Sequence, residues 1–158
     1  MQTGYATLPE HEPPVLDPMA IVHPDKLLHV VEAARWALPE TGLSDVELVV
    51  VDDPQVLAEL GERAAPVLLV AVYEPADVLM HAQLLGLGCV LQNLWHAAND
   101  VGLGLRVVAD PAGELARVLA IPASRAVAFA VELGLPRTTP SPHPPRDLRD
   151  VVRWNRYR

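Results

Sequence analysis

The chain has 158 residues, enough for one domain with a real core, and 51% of them are hydrophobic although only 4% are aromatic. Its mean hydropathy of +0.21 is high for so small a domain, and surplus apolar surface of that kind implies a partner chain. The formal charge of −8 and the isoelectric point near 5.1 argue against nucleic acid as a bulk partner.

The charge is uneven. Residues 137–158 hold six of the eleven arginines against two acids, on a body that is otherwise strongly acidic. Such a basic tail can dock on another copy of the acidic body or meet an anion such as phosphate. Cys89 is the only cysteine, so no intrachain disulfide can form. Residues 1–14 are polar and proline-rich, without the basic-then-apolar order of a signal peptide. Polar residues also interrupt the apolar segment after residue 80 too often for a lipid-facing span. The expectation is a cytoplasmic protein with no membrane partner.

In chain order, residues 1–22 contain four prolines and read as an extended N-terminal arm. An amphipathic helix is expected over 24–38, with Leu27, Leu28, Val31, Ala34, Trp36 and Leu38 on its buried side and Pro39 as its stop. Valine-rich residues 46–52 read as a buried strand. Asp53-Pro54 then joins a side-chain cap to a proline at the first helical position, starting a helix to about Arg63. A second buried strand covers 66–73. The helix expected next, from about Ala76 to Val101, is apolar on nearly every face and must therefore be buried on several sides. A strand at 105–109, a short helix from Asp110-Pro111 to Ala120 and a strand at 126–133 complete a core domain of residues 23–136. Residues 136–145 hold five prolines and read as a linker, so that residues 137–158 form a proline-rich, basic C-terminal arm. Strands separated by helices suggest one sheet covered on both sides.

Within Met80 to Leu105, Gln92-Asn93-Leu94, Ala97-Ala98 and Gly102-Leu103-Gly104 follow one another. In this the segment resembles the core helix of the nitroreductase family of flavoproteins. Val31 to Ala37 is similar to the first helix of that family and Glu47 to Pro54 to the strand after it. Leu119-Ala120-Ile121-Pro122 and Glu132 to Pro136 are similar to later family segments, and Arg146 to Trp154 to its basic C-terminal arm. The resemblance implies an α+β fold with a mixed sheet flanked by helices and a long buried central helix. It also implies an intertwined dimer that exchanges its terminal arms.

For the site, the resemblance implies FMN as cofactor, bound between chains. Gly102 and Gly104 and the backbone of Val108 and Ala109 would lie along the flavin, with Arg146 and Arg149 of the arm toward its phosphate. A plainer reading of Arg146 and Arg149 is a solvated arm, or pairs with acids of the partner chain. Two family features are missing. Where the family has two arginines, a serine and a further arginine, residues 16–22 contain no arginine, and Lys26 is the nearest cation. In the loop after the first helix, Pro39, Gly42 and Ser44 stand where the family has Ser, Asn and Gln that bond the flavin. The insertion that walls the family's substrate pocket is almost absent between Tyr73 and Met80.

No catalytic residue and no metal site is identified. His81 and His96 are fifteen apart, which does not put them on adjacent turns, and Cys89 has no basic sequence neighbour to lower its pKa. Two functions remain open. One is an FMN-dependent oxidoreductase acting on a small organic substrate, as a homodimer. The other is a flavin-free structural or regulatory subunit in a heteromer with a paralogous flavoprotein chain.

Overall fold

The computed structural model describes residues 14–40, 46–61, 63–75, 81–109, 113–138 and 147–156. Its architecture follows from a single strand. β2 (Val67–Tyr73) has the sequence VLLVAVY, and its first six residues are buried. Side chains alternate across a strand, so such a run must be covered on both faces. Val67 and Leu69 join Val30, Ala34, Val90 and Leu94 on one side, whereas Leu68, Val70 and Val72 join Leu57, Leu60 and Leu115 on the other.

Four strands form the sheet. β1 (Glu47–Val51), β2, β4 (Ala126–Gly134) and β3 (Gly104–Val108) lie in the order β1-β2-β4-β3. Each pairing is antiparallel, including Glu47↔Val72, Leu68↔Glu132 and Arg106↔Glu132. The mixed sheet implied by the resemblance is thus antiparallel throughout its described strands, and a parallel neighbour could come only from outside these four. The helices α1 (Pro24–Glu40) and α3 (His81–Asp100) cover one face, and α2 (Pro54–Glu59) and α4 (Glu114–Val118) the other. A further turn, α5 (Leu148–Val151), lies in the C-terminal segment.

Several boundaries differ from the sequence expectation. α1 runs one residue beyond Pro39, which tolerates the last turn but blocks continuation. Its buried residues are Val30 and Ala34, while Leu28 and Trp36 are 61% and 75% exposed, so both point away from the core they were expected to join. α2 starts as expected, with Asp53 accepting from the Gln55 amide at 2.8 Å and Pro54 behind it, but stops at Glu59 because Gly61 turns left-handed at φ +86°. α4 starts at Glu114 behind a left-handed Gly113, with no side-chain cap; Asp110-Pro111 lies outside the described residues.

The N-terminal arm is also more than a loose extension. Leu16 is 2% exposed and bridges Pro136, and the Asp17 amide donates to Leu135 O at 2.9 Å. The Arg137 amide returns a bond to Val15 O at 2.8 Å, so the start of the expected C-terminal arm is tied to the N-terminal one.

α3 carries Leu87, Val90, Leu94, Ala97 and Ala98 buried on its inner side. Asn93 Nδ2 donates to Ala33 O at 3.1 Å, tying it to α1. Leu84, Leu85, Gly88 and Cys89 on its other side are exposed.

Candidate functional site

The Gly102-Leu103-Gly104 segment has a local explanation. At the end of α3 the Gly102 amide donates to Asn99 O at 3.0 Å and the Leu103 amide to Ala98 O at 2.8 Å, which is the Schellman arrangement. Gly102 takes the left-handed position it requires, at φ +73°. Lys26 Nζ caps the same end by donating to Val101 O at 2.8 Å, where the helix dipole favours a cation. The sole lysine of the chain is therefore engaged with the helix end.

Gly104 serves close approach instead. A Cβ built on it would lie 2.7 Å from Leu16 Cδ2 and 3.1 Å from Pro14 Cγ. Gly104 pairs with Gly134 across the strands, and the two together leave the space in which Leu16 is buried. From Gly104 to Val108 the strand spans roughly 14 Å. Val108 is half-buried, and Val107 and Ala109 are exposed. β3 ends the strand order, so its outer backbone groups are unpaired among the described strands. The fold thus aligns Gly102, Gly104, Val108 and Ala109 along one sheet edge. Arg146 lies outside the described residues, as does the side chain of Arg149.

Next to this edge lies a buried ion pair. Arg106 and Glu132 are direct cross-strand partners, and Glu132 is 1% exposed. Arg106 Nε donates to Glu132 Oε2 at 2.9 Å and its Nη2 to the same oxygen, while the Ala64 amide donates to Oε1 at 3.2 Å. A buried carboxylate is tolerable only when so satisfied. Here it anchors the loop between α2 and β2.

That loop and the N-terminal segment flank an open cavity of about 520 Å³, lined by the buried Leu57, by Pro66 and by the exposed Met19 and Ile21, and carrying Arg63 and Asp52. A second cavity of about 290 Å³ shares Val22, Asp52 and Val67 with it and continues along α1. The sequence reading passes over Arg63. The only signal it offers is position, a charge in a helix-to-strand loop, and the fold brings it against residues forty positions earlier. Among the described residues no group of three or more His, Cys, Asp and Glu could hold a metal ion, and no helix is long and apolar enough to cross a membrane. His96 is paired with Gln92 at 2.9 Å, one turn away on α3.

No protein-family model matches the chain, and no curated protein matches it in sequence. Solved structures do match. An FMN-dependent nitroreductase from Clostridium difficile R20291 superposes with a TM-score of 0.78 at 18% identity, over 94% of this chain and 96% of that one. The chain has the nitroreductase fold. A putative NADH dehydrogenase/NAD(P)H nitroreductase from Bacteroides thetaiotaomicron gives a TM-score of 0.77 at 19% identity, over 93% and 94% of the two chains. An NADPH:FMN oxidoreductase from Vibrio harveyi, complexed with NAD+, gives 0.74 at 23% identity, over 94% of this chain and 75% of that one. On the nitroreductase fold the long helix recognised in the sequence is α3, and the Gly-Leu-Gly segment is its exit into the edge strand.

Proposed function

We infer that the protein is an FMN-dependent oxidoreductase of the nitroreductase kind, acting on a small organic substrate as a dimer. The observation that carries this reading is the end-to-end structural correspondence with an FMN-dependent nitroreductase, at nearly full length on both sides. Two features of the chain fit a flavin. The unpaired outer backbone of β3 and its exit at Val108 and Ala109 can donate to and accept from a planar heterocycle without any particular side chain. Leu84 and Leu85 on the outer side of α3 and Trp36 on α1 are exposed apolar side chains that a second copy would cover, closing a site between chains.

In this proposal Gly102 and Gly104 shape the turn beside the ring, Val108 and Ala109 bond its edge, and Arg146 and Arg149 of the arm neutralise the phosphate. When bound, the flavin supplies hydride transfer between a reduced donor and an organic acceptor. The residues of the chain orient it and exclude water.

One observation favours a second reading. The space above Gly104 is filled by Leu16 and Pro14, and residues 14–22 present no cation. A flavin-free subunit paired with a catalytic chain has that character.

The test is the visible spectrum of the purified protein after loading with FMN and desalting. A retained flavin band stoichiometric with the chain supports the redox reading, and a colourless oligomer supports the second. For the assigned phosphate contacts, Arg146→Ala with Arg149→Ala is expected to weaken FMN binding by about 2–4 kcal/mol in equilibrium titration. Unchanged affinity would refute that assignment.

A further inference from the structure

Arg63 is a charge that the fold does not account for. Its side chain is only partly exposed and forms no ion pair with any described residue. One of its nitrogens, Nη2, donates to Leu60 O at 2.7 Å, and its buried Nε has no partner among the described residues. Partly buried cations are ordinarily compensated by an anion, because leaving water without one is costly. Glu132, the nearby buried carboxylate, is committed to Arg106 and to the Ala64 amide.

The same residue lines the open cavity of about 520 Å³, large enough for a small molecule that stays in part exposed to solvent. The walls offered by Met19, Ile21, Leu57 and Pro66 are apolar, and Asp52 stands on the side shared with the smaller cavity. An anionic group is therefore drawn to Arg63 and kept from Asp52, which suits a donor group instead.

We propose that this cavity binds an amphipathic small-molecule anion, its apolar body against Met19, Ile21, Leu57 and Pro66 and its phosphate, carboxylate or sulfonate on Arg63. The site uses none of the arm arginines and stands whether or not the flavin reading holds.

Fluorescence titration of the full-length protein with anilinonaphthalene sulfonate, beside uncharged phenyl-naphthylamine, tests it. Arg63→Met should weaken the sulfonate dye about tenfold or more and leave the neutral dye within about twofold. Because Arg63 also tethers Leu60, a second variant is needed. Ile21 is 88% exposed, so Ile21→Glu should leave the fold intact, and its carboxylate at the wall should likewise weaken the sulfonate dye. Displacement of the dye by FMN but not by nitrobenzoate identifies a phosphate-bearing ligand, and the reverse a carboxylate; either sustains the proposal. Unchanged sulfonate binding in both variants overturns it, as does displacement by neither competitor. Flavin retention on desalting is read separately, so failure here and failure of the flavin reading are distinct results.

Discussion

The inner and outer sides of α3 are built from the same kinds of residue and meet different surroundings. Leu87, Val90, Leu94, Ala97 and Ala98 are buried against α1 and the sheet, whereas Leu84, Leu85, Gly88 and Cys89 face outward. The chain completes one side with its own core and leaves the other open. Apolar sequence alone therefore measures how much apolar surface a helix carries, and the tertiary structure divides that surface between what the chain covers itself and what it leaves exposed.

The comparison can be broken most severely from the inside. Leu94 is fully buried, so Leu94→Ala should destabilise the protein by about 2–5 kcal/mol in urea denaturation, through lost burial and the cavity left behind. Glu132→Leu comes next, at roughly 2–4 kcal/mol, because Arg106 and the Ala64 amide lose their acceptor. The partial exposure of Arg106 moderates the cost, and the loop from Gly61 to Pro66 should become a site of protease cleavage.

Gly104→Ala should cost about 1–3 kcal/mol, by pushing Leu16 and Pro14 off the sheet edge. Combined with Leu16→Ala it should cost less than the sum of the two, a coupling that thermal melts of the double-mutant cycle would measure. Leu85→Glu, on the outer side of α3 where Leu85 is 72% exposed, should change the stability of the single chain by no more than about 0.5 kcal/mol. Its effect should fall on association instead. Sedimentation velocity should show the proposed dimer in the wild type and a monomer in this variant; the same sedimentation for both would place any partner surface elsewhere.

Where the sequence reading succeeded, the signal was local. The Asp53-Pro54 helix start appears as read, since a cap and a first-turn proline act on the adjacent amides. The buried strand at 67–73 was legible because a run of valine and leucine bounded by proline has few other uses. Where it failed, the cause lay at long range. Leu28 and Trp36 follow the helical period well enough to be taken as core, yet only the packing of α3 against α1 decides which stripe of α1 faces inward. The close approach of Leu16 to Gly104, eighty-eight positions apart, was likewise illegible, because no local pattern encodes it.

The candidate site divides in the same way. The glycines and the exit of β3 were visible as a motif, because turn chemistry is written in adjacent residues. Arg63 was not, because a lone arginine in a loop means nothing until Met19 and Ile21 are brought against it.

The sequence by itself determined the order of helices and strands, the helix start at Asp53 and the burial of β2, all set by periodicity and by contacts a few residues apart; of α3, expected to be buried on several sides, only the inner side is covered. Tertiary structure alone decided the antiparallel order β1-β2-β4-β3, the pairing of Arg106 with Glu132, the seat of Leu16 over Gly104 and the cavity at Arg63. Each of these depends on register and on approach between distant segments, which no local pattern encodes.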